Sequence, residues 1–120
     1  MWKSRLFLLF ALLIFPAADA FAGVGGPAGI LLYHRDGEEI YLLLADHTAP
    51  SKRGWAGFGG SHDKNETPAQ TAARETEEET RGFFKRGDLL AKIKDQTPFE
   101  DGAFSLFFAE IDPVSPGKIA

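Results

Sequence analysis

Three runs of apolar residues predict the strands of a buried β-sheet. Residues 30–33 and 40–44 are rich in strand-forming residues, and an Asp36-Gly37 pair lies between them. An Asp-Gly pair between two such runs favours a β-hairpin. Because these two runs are apolar on both faces, we expect the sheet to be covered on each side. Residues 104–111 predict a third buried strand.

The segment after residue 66 carries the clearest helix pattern. Thr67 and Gln70 have the spacing of a capping box, and Pro68 suits the first helical turn. Gly82 is a natural stop signal. The predicted inner face is a narrow stripe of small residues at spacings of three and four, namely Ala69, Ala72, Ala73, Thr76 and Thr80.

The remaining segments predict little regular structure. Residues 46–65 are rich in glycine and are predicted to form a loop, as are residues 112–120 with their two prolines. Leu89, Leu90 and Ile93 are too few to assign a helix or a strand to their segment.

The N-terminus has the order of a secretory signal peptide. Lys3 and Arg5 precede an unbroken apolar run at residues 6–15. The small residues that follow allow cleavage after Ala20 or after Ala22. The run is shorter than the roughly 20 apolar residues that a membrane-spanning helix needs. We therefore expect a signal peptide within residues 1–22, although an uncut signal anchor is the alternative.

Cleavage would leave residues 23–120 as one domain, exported to the periplasm or secreted, without a membrane anchor. A chain of 120 residues has room for a single domain. Its net charge of −4 argues against general binding to nucleic acid or to a membrane surface. The absence of cysteine excludes disulfides, thiolate metal sites and cysteine nucleophiles.

Four glutamates near the end of the predicted helix are the strongest candidates for chemistry. At about 100° per residue, Glu75, Glu78 and Glu79 share one face and Glu77 points away. Two carboxylates about 5 Å apart repel by roughly 3 kcal/mol at an effective dielectric constant near 20. A hard divalent cation would turn this repulsion into binding, because Mg²⁺ prefers oxygen ligands. The simpler interpretation is a solvated acidic helix face.

The spacing of further residues favours the metal site. Gly60 is followed by five residues and Glu66, and then by seven residues and an Arg-Glu-Thr-Glu-Glu-Glu segment that begins at Arg74. This pattern resembles the Nudix box, in which a glycine, a glutamate and an Arg-Glu-x-x-Glu-Glu core stand at fixed separations. The resemblance covers residues 28–111, although only the box is specific.

Resemblance to the Nudix family implies an α/β (α+β) fold, an α/β/α sandwich with a mixed sheet. It implies a hydrolase, a pyrophosphohydrolase that cleaves a diphosphate linkage. The implied partner is a small-molecule nucleoside diphosphate derivative, and the implied cofactor is Mg²⁺ or Mn²⁺. The box does not identify the residues that bind the rest of the substrate.

Carried over by position, the catalytic residues that the resemblance implies are Arg74, Glu75, Glu78 and Glu79. Glu78 and Glu79 would be the main metal ligands, joined by Glu75. Arg74 would pair with these carboxylates and orient them, a role that suits a planar guanidinium. The Gly60 carbonyl and Glu66 are further candidates for the metal site, and Glu66 is also a candidate support of the loop.

The sequence departs from the family pattern at three points. The family's glycine after the paired glutamates falls at Arg81, so we expect the helix to run one residue further and stop at Gly82. Phe58 stands where the family usually has proline. In Nudix domains the chain normally continues past the point that corresponds to Ala120, with more sheet and a long helix. We therefore expect a domain that is short at its C-terminus.

Weaker candidates have simpler explanations. Two aromatic residues beside the glycine-rich segment would stack on a base, although packing is their commoner role; these are Trp55 and Phe58. The polar candidates are His62 as a base, Glu110 as an acidic residue late in the fold, and Lys92 and Lys94 as phosphate contacts. Each is explained more simply as an exposed residue or a residue at the rim of the fold.

Two alternatives to a hydrolase stay open at this point. One is a module that binds metal or nucleotide without turnover. The other is an inactive truncated fragment whose exposed sheet aggregates. In either case a small domain with apolar strands predicts low stability, or self-association as a homodimer that shields an open sheet edge.

Overall fold

The computed structural model describes residues 2–3, 25–47 and 54–119. The predicted cleavage sites and the apolar run at residues 6–15 lie outside the described residues. Within the described ranges, no helix is long and apolar enough to cross a membrane. The described elements are β1 (Trp2–Lys3), β2 (Ala28–Asp36), β3 (Glu39–Leu43), β4 (Ala45–His47), β5 (Gly54–Ala56), β6 (Phe58–Gly60), α1 (Pro68–Glu79), α2 (Arg86–Ile93), β7 (Phe99–Asp101), β8 (Phe104–Glu110) and a 3₁₀ turn (Pro116–Lys118).

A mixed β-sheet organises the fold. Its strands lie in the order β1-β3-β2-β8-β7, and β6 also pairs with β2. Strand β8 runs parallel to β2, whereas the other pairs in this sheet are antiparallel. Strands β4 and β5 form a separate two-stranded sheet. The mixed sheet and its two helices confirm the predicted α+β fold class.

Strands β2 and β3 form the predicted hairpin. Asp36 pairs with Glu39, so the turn consists of Gly37 and Glu38. Gly37 has a φ of 60°, a left-handed conformation that glycine adopts without a Cβ penalty. The Asp-Gly signal therefore located the hairpin, although Asp36 belongs to the strand and Gly37 begins the turn.

One face of the sheet packs against both described helices. The helices supply alanines and larger aliphatic residues, and the strands supply every second side chain. This first core consists of Ala28, Ile30, Leu32, Leu43, Phe58, Ala72, Ala73, Leu89, Ile93, Phe107, Ala109 and Ile111.

The opposite face of the sheet is buried as well. Its side chains come from the alternate positions of the same strands, and Trp55 of β5 packs against them. This second core consists of Leu31, Leu42, Leu44, Phe104 and Leu106. Burial on both faces is what the apolar runs predicted.

Helix α1 begins as its sequence predicts. The Thr67 hydroxyl accepts the Gln70 N–H at 3.2 Å, and the Gln70 side chain accepts the Thr67 N–H at 2.9 Å. Pro68 opens the first turn, where a missing N–H costs no hydrogen bond. Except for the half-buried Ala69, the predicted stripe of small residues is fully buried against the sheet.

The end of α1 differs from the prediction. The helix stops at Glu79, and Thr80 is its C-cap. Arg81 then takes a φ of 53° and donates its N–H to the Glu78 carbonyl, while Gly82 donates to the Glu77 carbonyl at 2.7 Å. This is a Schellman motif with arginine at the left-handed position that usually holds glycine. The expectation that the helix extends to Gly82 is therefore wrong.

Two other segments contain more structure than their sequences predicted. The supposed loop at residues 46–65 includes β5 and β6, and β6 pairs with β2 through two adjacent glycines. Residues 86–93 form α2, which buries only Leu89 and Ile93. Both elements depend on neighbours that are distant in sequence, so local patterns carry little trace of them.

Candidate metal centre

The backbone of β6 lies directly against both β2 and α1. Gly59 pairs with Gly29, and Gly60 pairs with Ala28. A Cβ at Gly59 would lie 2.7 Å from the Ala28 carbonyl oxygen, and one at Gly60 would overlap the Glu75 carboxylate. At Gly59 a Cβ would clash with the backbone of β2, and at Gly60 it would displace the Glu75 carboxylate, so the glycine pair lets a strand and a carboxylate approach closely.

Glu75 points from α1 towards this strand and is largely buried. Its side chain is 18% exposed, and one carboxylate oxygen lies 3.4 Å from the Arg74 guanidinium. Burial raises the pKa of Glu75, although the nearby charge of Arg74 opposes that effect. A carboxylate held in such a place is costly when ionised, and a cation would reduce the cost.

Glu78 and Glu79 each use one oxygen in a hydrogen bond to a neighbour. Glu78 accepts from Arg74 at 3.1 Å, one helical turn away. Glu79 accepts the backbone N–H of Gly59 at 2.9 Å. Both side chains are exposed, so solvent or an ion can reach them.

Arg74 is the centre of the hydrogen-bond network that holds this region together. Its side chain is only 10% exposed. The guanidinium donates to both oxygens of Glu66, at 2.8 and 3.1 Å, and to the Ser61 carbonyl at 2.9 Å. Hydrogen bonding to Glu66 raises the pKa of Arg74, so the guanidinium remains charged despite its burial.

Glu66 is saturated by bonds to the protein. In addition to Arg74, its carboxylate accepts the Thr71 hydroxyl at 2.9 Å and the Asp63 N–H at 2.8 Å. These hydrogen bonds, those from Arg74 above all, lower the pKa of Glu66 to about 2. The geometry therefore favours the loop-support role of Glu66 over direct metal binding.

Several members of this network were not predicted from the sequence. Asp63 lies 3.3 Å from the Arg74 guanidinium, and Ser61, Thr71 and Gly59 supply the contacts given above. Three of them contribute backbone groups, which carry no residue-type signal. The paired glycines before Ser61 were the only local hint of a close backbone approach.

Glu77 faces away from the other three glutamates, as the helical spacing predicted. Its carboxylate accepts the backbone N–H of Arg86 at 3.0 Å and also pairs with the Arg86 guanidinium. The backbone bond from Arg86, followed by the side-chain bond, lowers the pKa of Glu77. Lys85 is the N-cap of α2 and offers no side-chain cap, so Glu77 caps α2 from the neighbouring helix.

The residues present fit a hard divalent cation by their chemistry. Three carboxylates share one face of α1, and all three border the glycine backbone of β6 or the Arg74 network. Within the described ranges, no three acidic or imidazole side chains already converge on one point.

The weaker candidates lie away from this face or within the core. Phe58 belongs to the first core and Trp55 packs on the second, so both serve packing. His62 is half-buried beside Gly25. The remaining three are exposed side chains on or beyond α2 and at the end of β8, namely Lys92, Lys94 and Glu110.

Comparison with known proteins agrees with the geometry. A family model described as the NUDIX domain matches residues 25–116, which is most of the chain. No curated protein and no solved structure matches the sequence. Nudix enzymes act on small nucleoside diphosphate derivatives and generally use divalent metals such as Mg²⁺. Because the match contains both the glycine pair of β6 and the whole of α1, the chain belongs to the Nudix family of hydrolases.

Proposed function

We propose that this protein hydrolyses a diphosphate linkage in a nucleoside diphosphate derivative, with Mg²⁺ or Mn²⁺ bound by Glu75, Glu78 and Glu79. The observation that carries the proposal is the placement of these three carboxylates on one face of α1, beside the glycine pair of β6. The Gly60 carbonyl is a further candidate ligand, because its residue lies against Glu75.

A divalent cation held by these carboxylates would neutralise charge on the phosphate oxygens and would make a water molecule a better nucleophile near neutral pH. The protein's own residues prepare the site. Arg74 holds Glu78 in place and keeps compensating positive charge beside Glu75. The Gly59 N–H donates to one oxygen of Glu79, and this hydrogen bond orients the whole carboxylate.

Glu66 acts through Arg74 in this proposal. By accepting two bonds from the guanidinium, one hydroxyl and one backbone N–H, it ties the loop before α1 to the helix. A supporting partner of this kind orients the groups that bind a metal and usually affects activity about 10- to 100-fold when it is removed.

Hydrolysis of a panel of nucleoside diphosphate derivatives tests the proposal. Phosphate release by a coupled phosphatase should require Mg²⁺ or Mn²⁺ and should fall about 100-fold or more in Glu79→Gln. Glu77→Gln is the matched control, because it removes the same charge from the same helix but from the face that contacts α2. It should retain activity within a few-fold.

Equal loss of activity in both variants would contradict the assignment of the metal face. Release that does not depend on a divalent cation would also contradict it. Metal binding without hydrolysis of any compound would favour the alternative, a binding module without turnover.

We also propose that the protein acts after export, because its first 22 residues have the order of a signal peptide. N-terminal sequencing of protein isolated from its native host should begin at Phe21 or Gly23. An intact Met1 would contradict export by this route.

A further inference from the structure

A cavity lies beyond the C-terminal end of α1. It is at the end of β2 that is farther from the candidate metal centre. It has a volume of about 580 Å³, within the range of small-molecule sites. Strand β2 borders the metal centre at Gly29 and the cavity at His34. Five residues of strand correspond to about 16 Å. The lining residues include none of the proposed metal ligands Glu75, Glu78 and Glu79.

Hydrogen bonds between β2 and the chain after β8 fix the base of this cavity. The Ile111 N–H donates to the Tyr33 carbonyl at 2.7 Å. The Nδ1 atom of His34 lies 3.0 Å from the Ile111 carbonyl oxygen and is therefore the donor in that bond. The cavity is thus built on the ends of two adjacent central strands.

An aromatic pair forms one wall. Phe84 is half-buried and packs on the first core, whereas Phe83 is 41% exposed. Their ring centroids are 5.0 Å apart in an edge-to-face arrangement. Phe83 is therefore held by Phe84 and keeps much of its surface free for a ligand.

The described residues around the cavity carry mainly negative charge. Among them Asp88, Glu110 and Asp112 line it, and Lys92 is the only lysine or arginine that does. In the described part of the chain, none of these four side chains forms an ion pair. Such a lining repels phosphates and carboxylates and attracts a cation, and the face of an aromatic ring also attracts a cation.

We propose that this cavity binds a small organic cation with an aromatic or apolar body, its charge near Glu110 and Asp112 and its apolar part on Phe83. The occupant is a small molecule because the volume is that of a ligand pocket. The site does not depend on hydrolysis at the metal centre.

Titration with benzyltrimethylammonium, followed by NMR chemical shifts of the backbone amides, tests this proposal. Shifts should saturate and should map to residues 83–92 and 110–114. Benzyl alcohol and benzoate, which share the ring but lack the positive charge, should bind at least about tenfold more weakly.

Matched variants separate the contribution of Phe83 from nonspecific hydrophobic binding. Phe83→Ala should weaken binding about two- to fivefold. Phe99→Ala should leave it unchanged, because Phe99 on β7 is also exposed, at 50%, but does not line the cavity. Phe83 is exposed, so both variants are expected to fold.

The acidic residues have a similar control. Glu110→Gln combined with Asp112→Asn should weaken binding of the cation and leave benzyl alcohol unaffected, whereas Glu100→Gln on β7 should change neither. Absence of saturable binding, equal binding of benzyl alcohol, or equal effects of Phe83→Ala and Phe99→Ala would each overturn the proposal.

Discussion

At the scale of single residues, the positive charge of one guanidinium offsets the negative charges of several carboxylates in the candidate site. Arg74 contacts Glu66 and Glu78 by hydrogen bonds and lies 3.4 Å from Glu75. Folding favours the ionised form of Glu66, because the hydrogen bonds from Arg74 help to lower its pKa to about 2. Folding disfavours the ionised form of Glu75, because burial raises its pKa. These two glutamates therefore make opposite contributions to stability.

Replacing Glu66 should destabilise the protein in a pH-dependent way. Because the pKa of Glu66 is lowered on folding, its contribution is present above the unfolded value of 4.5 and is lost as pH falls towards 2. We expect Glu66→Gln to lower the free energy of unfolding by about 2 kcal/mol at pH 7. Chemical denaturation across pH measures this, and a difference that persists unchanged at pH 2 would contradict it.

Replacing Glu75 should have the opposite sign in the metal-free protein. Because its pKa is raised on folding, wild-type stability is lost as pH rises through the unfolded value of 4.5 towards the higher folded value. Glu75→Gln should therefore be more stable than wild type at pH 7 and equally stable below pH 4. Glu38→Gln, in the exposed hairpin turn, is the control. A Glu75→Gln variant that is less stable at pH 7 would refute the account.

At the scale of elements, α1 was predictable at its start because all the signals lie within four residues. Thr67, Pro68 and Gln70 specify the cap by local chemistry alone. Strand β6 was not predictable, because its glycines are typical of a loop and its pairing with β2 is a long-range contact. Helix α2 was missed for a related reason, since its N-terminus is capped by Glu77 from α1.

The site shows the same division between local and long-range information. The helical spacing alone predicted that Glu75, Glu78 and Glu79 share a face and that Glu77 points away. The partner of Glu79 is a backbone N–H twenty residues earlier, and Arg74 bonds to a carbonyl thirteen residues earlier. Such contacts depend on the fold and on no residue type, so the sequence could not indicate them.

The end of α1 offers a direct test at the element scale. Arg81 holds a φ of 53°, which costs about 1 kcal/mol for a residue with a Cβ. Arg81→Gly should be more stable than Arg81→Ala by about 1 kcal/mol, because both remove the charge and only glycine relieves the strain. Denaturant titration compares the two variants. Equal stability would show that the left-handed position carries no strain.

At the scale of the whole molecule, the sheet has an edge whose cover depends on the N-terminus. In the described residues, β1 pairs with β3 at Leu42 and Leu43. The proposed cleavage removes β1 together with the signal peptide. An open edge next to apolar strands is a site for pairing with another chain.

The mature chain should therefore self-associate. A protein that begins at Gly23 should sediment at micromolar concentration as a dimer or larger species, because its β3 edge lacks the partner seen at Leu42 and Leu43. The full-length chain, studied at the same concentration, is the control. A mature chain that remains monomeric throughout the micromolar range would contradict this expectation.

The central claim is that Glu75, Glu78 and Glu79 bind a divalent cation, and the response of unfolding to Mg²⁺ tests it most directly. At constant ionic strength, Mg²⁺ at a hundred times its Kd should raise the free energy of unfolding of the wild type by about 2.7 kcal/mol. Glu79→Gln should lose most of this gain, and Glu77→Gln, altered on the opposite face of the same helix, should keep it. An equal Mg²⁺ response in wild type and Glu79→Gln would contradict the account.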